Sequence, residues 1–270
     1  MIMKIGNREI SDTAGVFIIA ELSANHNGSF DTAVETIRAA KRAGADCIKL
    51  QTYTPDTITI DCRKPDFMIK GTIWDGKNLH DLYSEAYTPW EWHETLFRTA
   101  EEEGLICFSS PFDKSAVDFL ETLDAPAYKI ASFEITDIPL FEYVASKGKP
   151  VIISTGIASE EDIVLAVDTC RRAGNNDIAL LKCTSSYPAP VAEANLRMMQ
   201  DLAERYGCIT GLSDHTIGST VPIAAVALGA RIIEKHFILD RSVGGPDASF
   251  SMNVEEFTDM VKAVRDAEKS

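Results

Sequence analysis

The chain has 270 residues, of which 45% are hydrophobic and 25% are charged, and its formal net charge is −15 at pH 7. These values are typical of a globular protein with one large domain, and the acidic charge argues against nucleic acid and anionic membranes as partners. No apolar stretch approaches the roughly 20 residues of a membrane span, no signal peptide is recognisable, and the six cysteines are scattered, so we expect a cytoplasmic protein with reduced thiols.

Short apolar runs rich in β-branched residues recur eight times, and a segment with helical periodicity follows each of them. The predicted strands are 16–22, 46–53, 105–112, 127–133, 150–156, 178–185, 208–215 and 231–237. The predicted helices are 30–43, 89–103, 114–123, 138–147, 159–173, 193–206, 219–228 and 254–267. Eight alternating units predict a parallel, closed (β/α)8 TIM barrel of the α/β class, with 1–270 as one catalytic domain, rather than an open sheet.

The connection 54–88, after the second predicted strand, is much longer than the others and is rich in aromatic and polar residues. Connections of this length are uncommon unless they serve a function. Because it leaves the carboxyl end of a barrel strand, we expect it to lie over the barrel mouth.

Polar side chains cluster at the carboxyl ends of the predicted strands, where TIM barrels place their active sites. Lysines recur near the ends of the second, fourth, sixth and eighth strands, at Lys49, Lys129, Lys182 and Lys235. Serine hydroxyls occur at the ends of the strands between them. Together these groups predict a pocket for a phosphate and a carboxylate.

Two histidines, His215 and His236, end the seventh and eighth predicted strands, which are neighbours in a barrel. With Glu234 two residues before one of them, they could hold a divalent metal that keeps open positions for substrate and water. An equally good interpretation is two independent histidines, one of them bonded to Asp214. Two histidines are too few to name a metal.

Nine short motifs at strand ends resemble those of the sialic acid synthase family, which condenses phosphoenolpyruvate with an N-acetylated amino sugar. They are IAELSANHNGS (19–29), IKLQTY (48–53), SSPF (109–112), YKIASFE (128–134), STG (154–156), LKCTSSYP (181–188), GLSDHT (211–216), EKHF (234–237) and GPD (245–247). Each motif is weak alone, but nine in order are specific. They span essentially the whole chain as the family's catalytic barrel.

The resemblance implies roles for individual residues. The positions that match the phosphoenolpyruvate-binding groups are Lys49, Ser110, Lys129, Ser132, Ser154, Ser185 and Ser213. Ser185 replaces the asparagine familiar at its position. His215 and His236 match the metal ligands, usually for Mn2+, with Mg2+ and Co2+ as other candidates. The positions that match groups around the sugar are Glu21, Gln51, Glu134, Tyr187 and Asp247. Glu234 matches a carboxylate near the reacting centre, and Glu234, Glu134 and Glu21 are the expected catalytic residues.

Within the family, the stretch 66–93 most resembles pseudaminic acid synthases, which use 2,4-diacetamido-2,4,6-trideoxy-L-altrose instead of N-acetylmannosamine. The resemblance therefore implies condensation of that sugar with phosphoenolpyruvate, C–O cleavage, release of phosphate and formation of a nonulosonic acid. A methyl group at C6 and an acetamido group at C4 suit an apolar, aromatic pocket. Synthesis of N-acetylneuraminic or legionaminic acid is the alternative within the family.

The family usually carries a small C-terminal antifreeze-like domain that reaches across a dimer. This chain ends just after the eighth predicted helix, so we expect that domain to be absent, and by resemblance we expect a homodimer. Two interpretations from other classes stay open. A metal-dependent aldolase would use pyruvate and release no phosphate, and a non-catalytic barrel would bind sugar without turnover.

Overall fold

The computed structural model describes residues 1–270, and its eight-stranded parallel barrel confirms the predicted fold class. The barrel strands are β3 (Phe17–Glu21), β4 (Cys47–Thr52), β5 (Ile106–Pro111), β6 (Tyr128–Ile130), β7 (Val151–Ser154), β8 (Ile178–Cys183), β9 (Ile209–Asp214) and β10 (Ile232–His236). Neighbours along the chain are neighbours in the barrel, and β10 pairs with β3 to close it. The carboxyl ends of all eight strands therefore meet at one mouth.

Helices surround the barrel. They are α1 (Phe30–Arg42), α2 (Pro55–Ile58), α3 (Leu79–Ala86), α4 (Trp90–Glu102), α5 (Lys114–Thr122), α6 (Ile138–Ala145), α7 (Glu160–Arg172), α8 (Met198–Tyr206), α9 (Thr220–Ala227) and α10 (Val254–Ala267). Side-chain caps fix several helix starts, such as Ser29 of α1 and Asn253 of α10. No helix is both long and apolar enough to cross a membrane, and all six cysteines are free.

The sequence did not predict the N-terminal hairpin formed by β1 (Ile2–Ile5) and β2 (Arg8–Ser11). Its side chains Met3, Ile5 and Ile10 pack against inward-facing residues at the starts of the barrel strands, such as Phe17. The hairpin thus buries the apolar lower end of the barrel, and it leaves the polar upper end for the site.

Two predicted elements are shorter in the structure. The predicted helix 193–206 begins only at Met198, because 191–193 form a 3-10 turn and Asn195 adopts a left-handed backbone conformation (φ 44°). The predicted strand 127–133 keeps only Tyr128–Ile130, since a 3-10 turn at Ser132–Glu134 follows it. That turn carries the chain away from the sheet and directs Glu134 toward the mouth.

The long connection 54–88 has more regular structure than its sequence indicates. It contains α2, a 3-10 turn at Pro65–Phe67, and α3. Asn78 organises it: its side-chain oxygen accepts from the amide of His80 at the start of α3, and its amide donates to the carbonyl of Cys62 at 2.7 Å. Because Asn78 is buried and fully engaged, it holds two distant parts of the connection together.

Candidate active site

Two lysines and two glutamates form a buried charged cluster inside the mouth. Lys49 Nζ lies 3.0 Å from Glu21 Oε2 and 3.4 Å from Glu234 Oε1, and Lys129 Nζ lies 3.7 Å from Glu234 Oε1. None of the four side chains is more than 6% exposed. Buried charges are tolerated when they are paired. Equal numbers of each sign therefore let the fold hold two ammonium groups ready for an anionic ligand.

The surroundings shift the pKa values of the carboxyl groups at the mouth in opposite directions. Burial opposes ionisation of Glu234, but Lys129 and Lys49 outweigh it and hold the pKa of Glu234 below its ordinary value. Burial raises the pKa of Glu21, and it raises the pKa of Glu134 to about 7. Carboxyl groups whose pKa values are driven apart are suited to separate acid and base roles.

Hydroxyl groups surround the two lysines. Lys129 donates to Ser154 Oγ at 2.7 Å, and Lys49 donates to Ser110 Oγ at 3.4 Å. Ser213 donates to Glu234 Oε1 at 3.0 Å. These three serines thus lie where the sequence predicted, within hydrogen-bonding distance of the charged cluster.

Gly156 lies two residues after Ser154, the hydrogen-bond partner of Lys129, and packs against the hydroxyls of two other serines. Its amide donates to Ser132 Oγ at 3.1 Å. A Cβ atom at this position would overlap Ser185 Oγ and lie 2.8 Å from Ser132 Oγ. Only glycine lets both hydroxyls approach the backbone this closely, so the residue type at this position decides whether the two hydroxyl groups can lie side by side.

We expect Gly156→Ala to raise the KM for phosphoenolpyruvate about tenfold or more, because the methyl group would displace the hydroxyls of Ser132 and Ser185 by a substantial fraction of an ångström. Steady-state kinetics with phosphoenolpyruvate as the varied substrate measures the effect, and circular dichroism checks that the fold is kept. An unchanged KM in a folded variant would remove Gly156 from the phosphate pocket.

The prediction that four strand-end lysines share one pocket is wrong for two of them. Side chains of a strand alternate between its two faces. Leu181 and Ile232 face the barrel interior, so Lys182 and Lys235 face outward. Lys182 donates to the carbonyl of Cys183 at 2.5 Å, and Lys235 pairs with Asp214.

A cavity of about 370 Å³ lies at the mouth, above the charged cluster. Gln51 lines it and donates to Glu21 Oε1 at 2.9 Å, which connects the cavity to the cluster. Asp247 lines the opposite side, where it accepts from Ser23 Oγ at 2.5 Å. The other predicted sugar-side groups on its wall are Glu134 and Tyr187, and it is also lined by Ser185, which was predicted to bind phosphoenolpyruvate, and by the predicted metal ligand His236.

Apolar and aromatic side chains form the rest of the cavity wall. Those contributed by the connection 54–88 include Ile58, Ile69, Trp74, Leu79, Leu82 and Tyr83. Trp74 donates from Nε1 to the carbonyl of Pro246 at 2.8 Å, and its ring lies 5.7 Å from the ring of Tyr187. The connection is thereby joined to the segment after β10, and the cavity is polar toward the barrel and apolar away from it.

The two predicted metal ligands lie side by side, with ring centroids 5.3 Å apart. Nδ1 of His215 donates to the carbonyl of Thr184 at 3.1 Å, which leaves Nε2 free to act as a ligand. Nδ1 of His236 is buried without a hydrogen-bond partner, 3.9 Å from Asp247 Oδ2. An unpartnered buried nitrogen beside a second imidazole fits a metal. The structure contains no group of three or more His, Cys, Asp and Glu side chains arranged to hold one. Substrate or water oxygens would have to complete the coordination.

The alternative that His215 bonds to Asp214 is wrong. Asp214 instead accepts from the amide and hydroxyl of Thr216, at 3.1 and 3.0 Å, and from Lys235.

Sequence reasoning missed several residues of the site. Gly156 stood inside the quoted STG motif, but without the fold nothing indicated that two hydroxyls approach it. Ser23 continues the alternation of β3 beyond Glu21, and that periodicity could have indicated it. Phe250 lies in a short 3-10 turn after β10, so no periodic signal placed it at the mouth, whereas Trp74 belongs to the aromatic-rich connection 54–88 that was expected to lie there.

Fold and site together define a barrel enzyme that acts on an anionic substrate. The chain belongs to the NeuB family, whose sequence model matches residues 36–270, and the predicted family resemblance is confirmed. It is 50% identical over 268 residues to the pseudaminic acid synthase of Campylobacter jejuni subsp. jejuni serotype O:2, covering 99% of this chain and 78% of that protein. It is 51% identical over 248 residues to the pseudaminic acid synthase of Helicobacter pylori, covering 92% of this chain and 73% of that protein.

Solved structures agree with this assignment. The N-acetylneuraminic acid (sialic acid) synthetase from Leptospira borgpetersenii serovar Hardjo-bovis superimposes with a TM-score of 0.90 at 31% identity, covering 100% of this chain and 89% of that chain. The spore coat polysaccharide biosynthesis protein SpsE from Bacillus subtilis gives a TM-score of 0.87 at 37% identity, covering 100% of this chain and 72% of that chain.

Proposed function

We propose that this chain is a transferase that condenses phosphoenolpyruvate with 2,4-diacetamido-2,4,6-trideoxy-L-altrose, releases phosphate and forms a nonulosonic acid. The observation that carries the proposal is the buried pair Lys49 and Lys129, with its serine hydroxyls, beneath a cavity whose far wall is apolar. The high identity to proteins named pseudaminic acid synthase supports the choice of sugar.

The chain's own groups would bind phosphoenolpyruvate through charge-assisted hydrogen bonds. Lys49 and Lys129 supply the cations, and the surrounding donors are the hydroxyls of Ser110, Ser132, Ser154, Ser185 and Ser213. Such bonds are shorter and stronger than neutral ones, and burial strengthens them further because little water competes. The enol carbon C3 would then point up into the cavity, toward the sugar.

We assign His215 and His236 as the residues that would hold a divalent metal, with Mn2+ as the first candidate and Mg2+ or Co2+ as the others. When bound, such a metal supplies a Lewis acid for the aldehyde oxygen of the open-chain sugar. The assignment is supported by the free Nε2 of His215 and the unpartnered Nδ1 of His236.

The carboxylates would move the protons. C3 of phosphoenolpyruvate attacks the aldehyde carbon, and water adds at C2. Glu234, which its lysine partners keep ionised, accepts a proton from that water, and the resulting tetrahedral intermediate expels phosphate by C–O cleavage. Glu134, whose pKa of about 7 keeps it partly protonated at neutral pH, donates a proton to the aldehyde oxygen as it becomes a hydroxyl. Glu21 orients Gln51 toward the sugar, and Tyr187 and Asp247 contact it from the wall.

We also propose a homodimer located in the cytoplasm. Family membership supports the dimer, and six free cysteines are typical of a reducing compartment. Light scattering of the purified chain and fractionation of the source cells test these two proposals.

Phosphate release in the presence of phosphoenolpyruvate and Mn2+ tests the reaction. We would compare three sugars: the 2,4-diacetamido-trideoxy-L-altrose, its legionaminic-pathway isomer and N-acetylmannosamine. We expect strong release with the first sugar and loss of release with EDTA. A preference for another sugar would keep the chemistry and overturn the choice of substrate. No release with any sugar, together with no binding of phosphoenolpyruvate, would contradict the proposed reaction.

A further inference from the structure

Strands β9 and β10 set three pairs of residues beside one another. Ser213 and Glu234 form the first pair, and Asp214 lies opposite Lys235 in the second. His215 and His236 follow as the third pair. The first and third pairs face the mouth, so alternation turns the middle pair, Asp214 and Lys235, away from it toward the surrounding helices.

The outward pair is a buried ion pair whose contacts all lie around His215. Lys235 Nζ lies 2.5 Å from Asp214 Oδ2, and both side chains are at most 2% exposed. The same ammonium donates to the carbonyl of Thr216 and, at 3.4 Å, to that of Gly218. The ammonium of Lys235, the residue before His236, therefore contacts both Asp214 and Thr216, the residues on either side of His215.

His215 needs such support because β9 ends at Asp214, one residue before it. Beyond that point the sheet no longer holds the backbone, and the segment runs to the surface, where Ile217 is 61% exposed. His215 itself has non-local hydrogen bonds of its own: the amide of Ala189 donates to its carbonyl at 3.0 Å, and its Nδ1 donates to the carbonyl of Thr184 at 3.1 Å. Both of these partners belong to the segment after β8, and neither belongs to the strand of His236. Beyond the end of β9, the contacts of Lys235 are therefore the ones that tie the His215 segment to the strand that carries His236.

We propose that Lys235, acting through Asp214 and the carbonyl of Thr216, is a positioning residue that sets the spacing of His215 and His236 for a divalent metal. The inference rests on the proposed function in one respect, that these two histidines hold the metal. Lys235 itself faces away from the cavity and contacts neither substrate nor metal.

The test measures Mn2+ binding directly, by counting free Mn2+ with electron paramagnetic resonance in the absence of both substrates. We would compare wild type, Lys235→Met and the double variant Asp214→Asn/Lys235→Met, in which the side-chain oxygen at position 214 can still accept from the amide of Thr216. Removing one partner of a buried ion pair leaves an unpaired buried charge and destabilises a fold, whereas replacing both partners leaves none. The double variant therefore separates positioning from stability, and it keeps the test valid if the single variant fails to fold.

Arg265→Met is the matched control. It breaks another ion pair, the one between Arg265 and Asp46 at 2.8 Å. Arg265 lies in α10, and Asp46 directly precedes β4. We expect this variant to lower the melting temperature and leave the Mn2+ affinity unchanged.

We expect the double variant to melt near the wild-type temperature but to bind Mn2+ about 10- to 100-fold more weakly, the usual effect of losing a partner that orients a ligand. Wild-type Mn2+ affinity in the double variant would overturn the inference. So would a wild-type protein that binds phosphoenolpyruvate but no Mn2+. Failure to bind phosphoenolpyruvate, with the Mn2+ difference intact, would instead count against the proposed reaction and support the positioning role.

Discussion

Replacing Lys129 with methionine is expected to lower kcat/KM for phosphoenolpyruvate about 100- to 1,000-fold, the range seen when one preorganised donor to a developing anion is lost. Methionine keeps the length of the stem and removes only the ammonium group. Lys129 is 1% exposed and bridges Ser154 and Glu234, so no solvent cation can replace it. Both substrate affinity and turnover should fall, because phosphate must be held in the ground state and stabilised as it leaves.

Lys182→Met is the matched control. Lys182 occupies a comparable place near the end of β8, but it faces outward and donates to Cys183 O and Thr184 Oγ1. We expect its kinetic constants to stay within about threefold of wild type, because it lies outside the pocket that a substrate contacts. If Lys129→Met retained wild-type KM and turnover, the phosphate pocket would have been assigned to the wrong lysines.

The contrast between these two lysines shows where sequence reasoning ended. The barrel could be predicted, because eight apolar runs alternate with eight helical segments, and eight such units favour a closed parallel sheet over an open one. The direction of each lysine could not. Strands buried on both faces are apolar throughout, so the sequence around Lys182 has no polar alternation to mark which face is inside. Leu180 and Leu181, which precede Lys182, are the same residue type, although Leu180 faces the helices and Leu181 faces the barrel interior.

Contacts between distant segments were also beyond the sequence. Ser23 and Asp247 are 224 positions apart, and Trp74 reaches Pro246 across 172 positions. No local pattern indicates such pairs, because they form only when the barrel closes and the segments that follow its strands meet at the mouth. The resemblance had placed Asp247 near the sugar, but the partner that orients it became visible only in three dimensions.

Glu134→Gln is expected to make the protein more stable than wild type above neutral pH, by about 2 to 3 kcal/mol at pH 8.5. Burial raises the pKa of Glu134 from its ordinary value of 4.5 to about 7, and Oε2 has no hydrogen-bond partner. The contribution of the neutral carboxyl to the free energy of unfolding is therefore fully present below pH 4.5, and it is lost as the pH rises through 7. A pKa raised from 4.5 to about 7 on folding corresponds to about 3 kcal/mol in the free energy of unfolding. Glutamine stays neutral, so its advantage should vanish near pH 4.

Denaturant unfolding of both proteins between pH 4 and 8.5 measures this difference, and Glu142→Gln is the control. Glu142 is an exposed residue of α6, the helix that follows Glu134, so its replacement should shift the curve little at any pH. If the free energies of unfolding of wild type and Glu134→Gln changed with pH in parallel, the carboxyl of Glu134 would ionise in the folded protein without any loss of stability.

The same substitution should lower turnover about 100-fold or more, the usual loss when a general acid or base is removed, while the KM for phosphoenolpyruvate changes little. Glu134 lines the sugar cavity and forms no hydrogen bond or ion pair with Lys49 or Lys129, whose charges act on it only through space, so the groups that hold phosphoenolpyruvate would stay in place. A variant that is more stable and less active distinguishes a catalytic carboxyl from a structural one. A group kept for packing would stabilise the fold at the working pH, whereas Glu134 is held where its ionisation is costly. Active sites retain such groups because the cost keeps a proton available near neutrality.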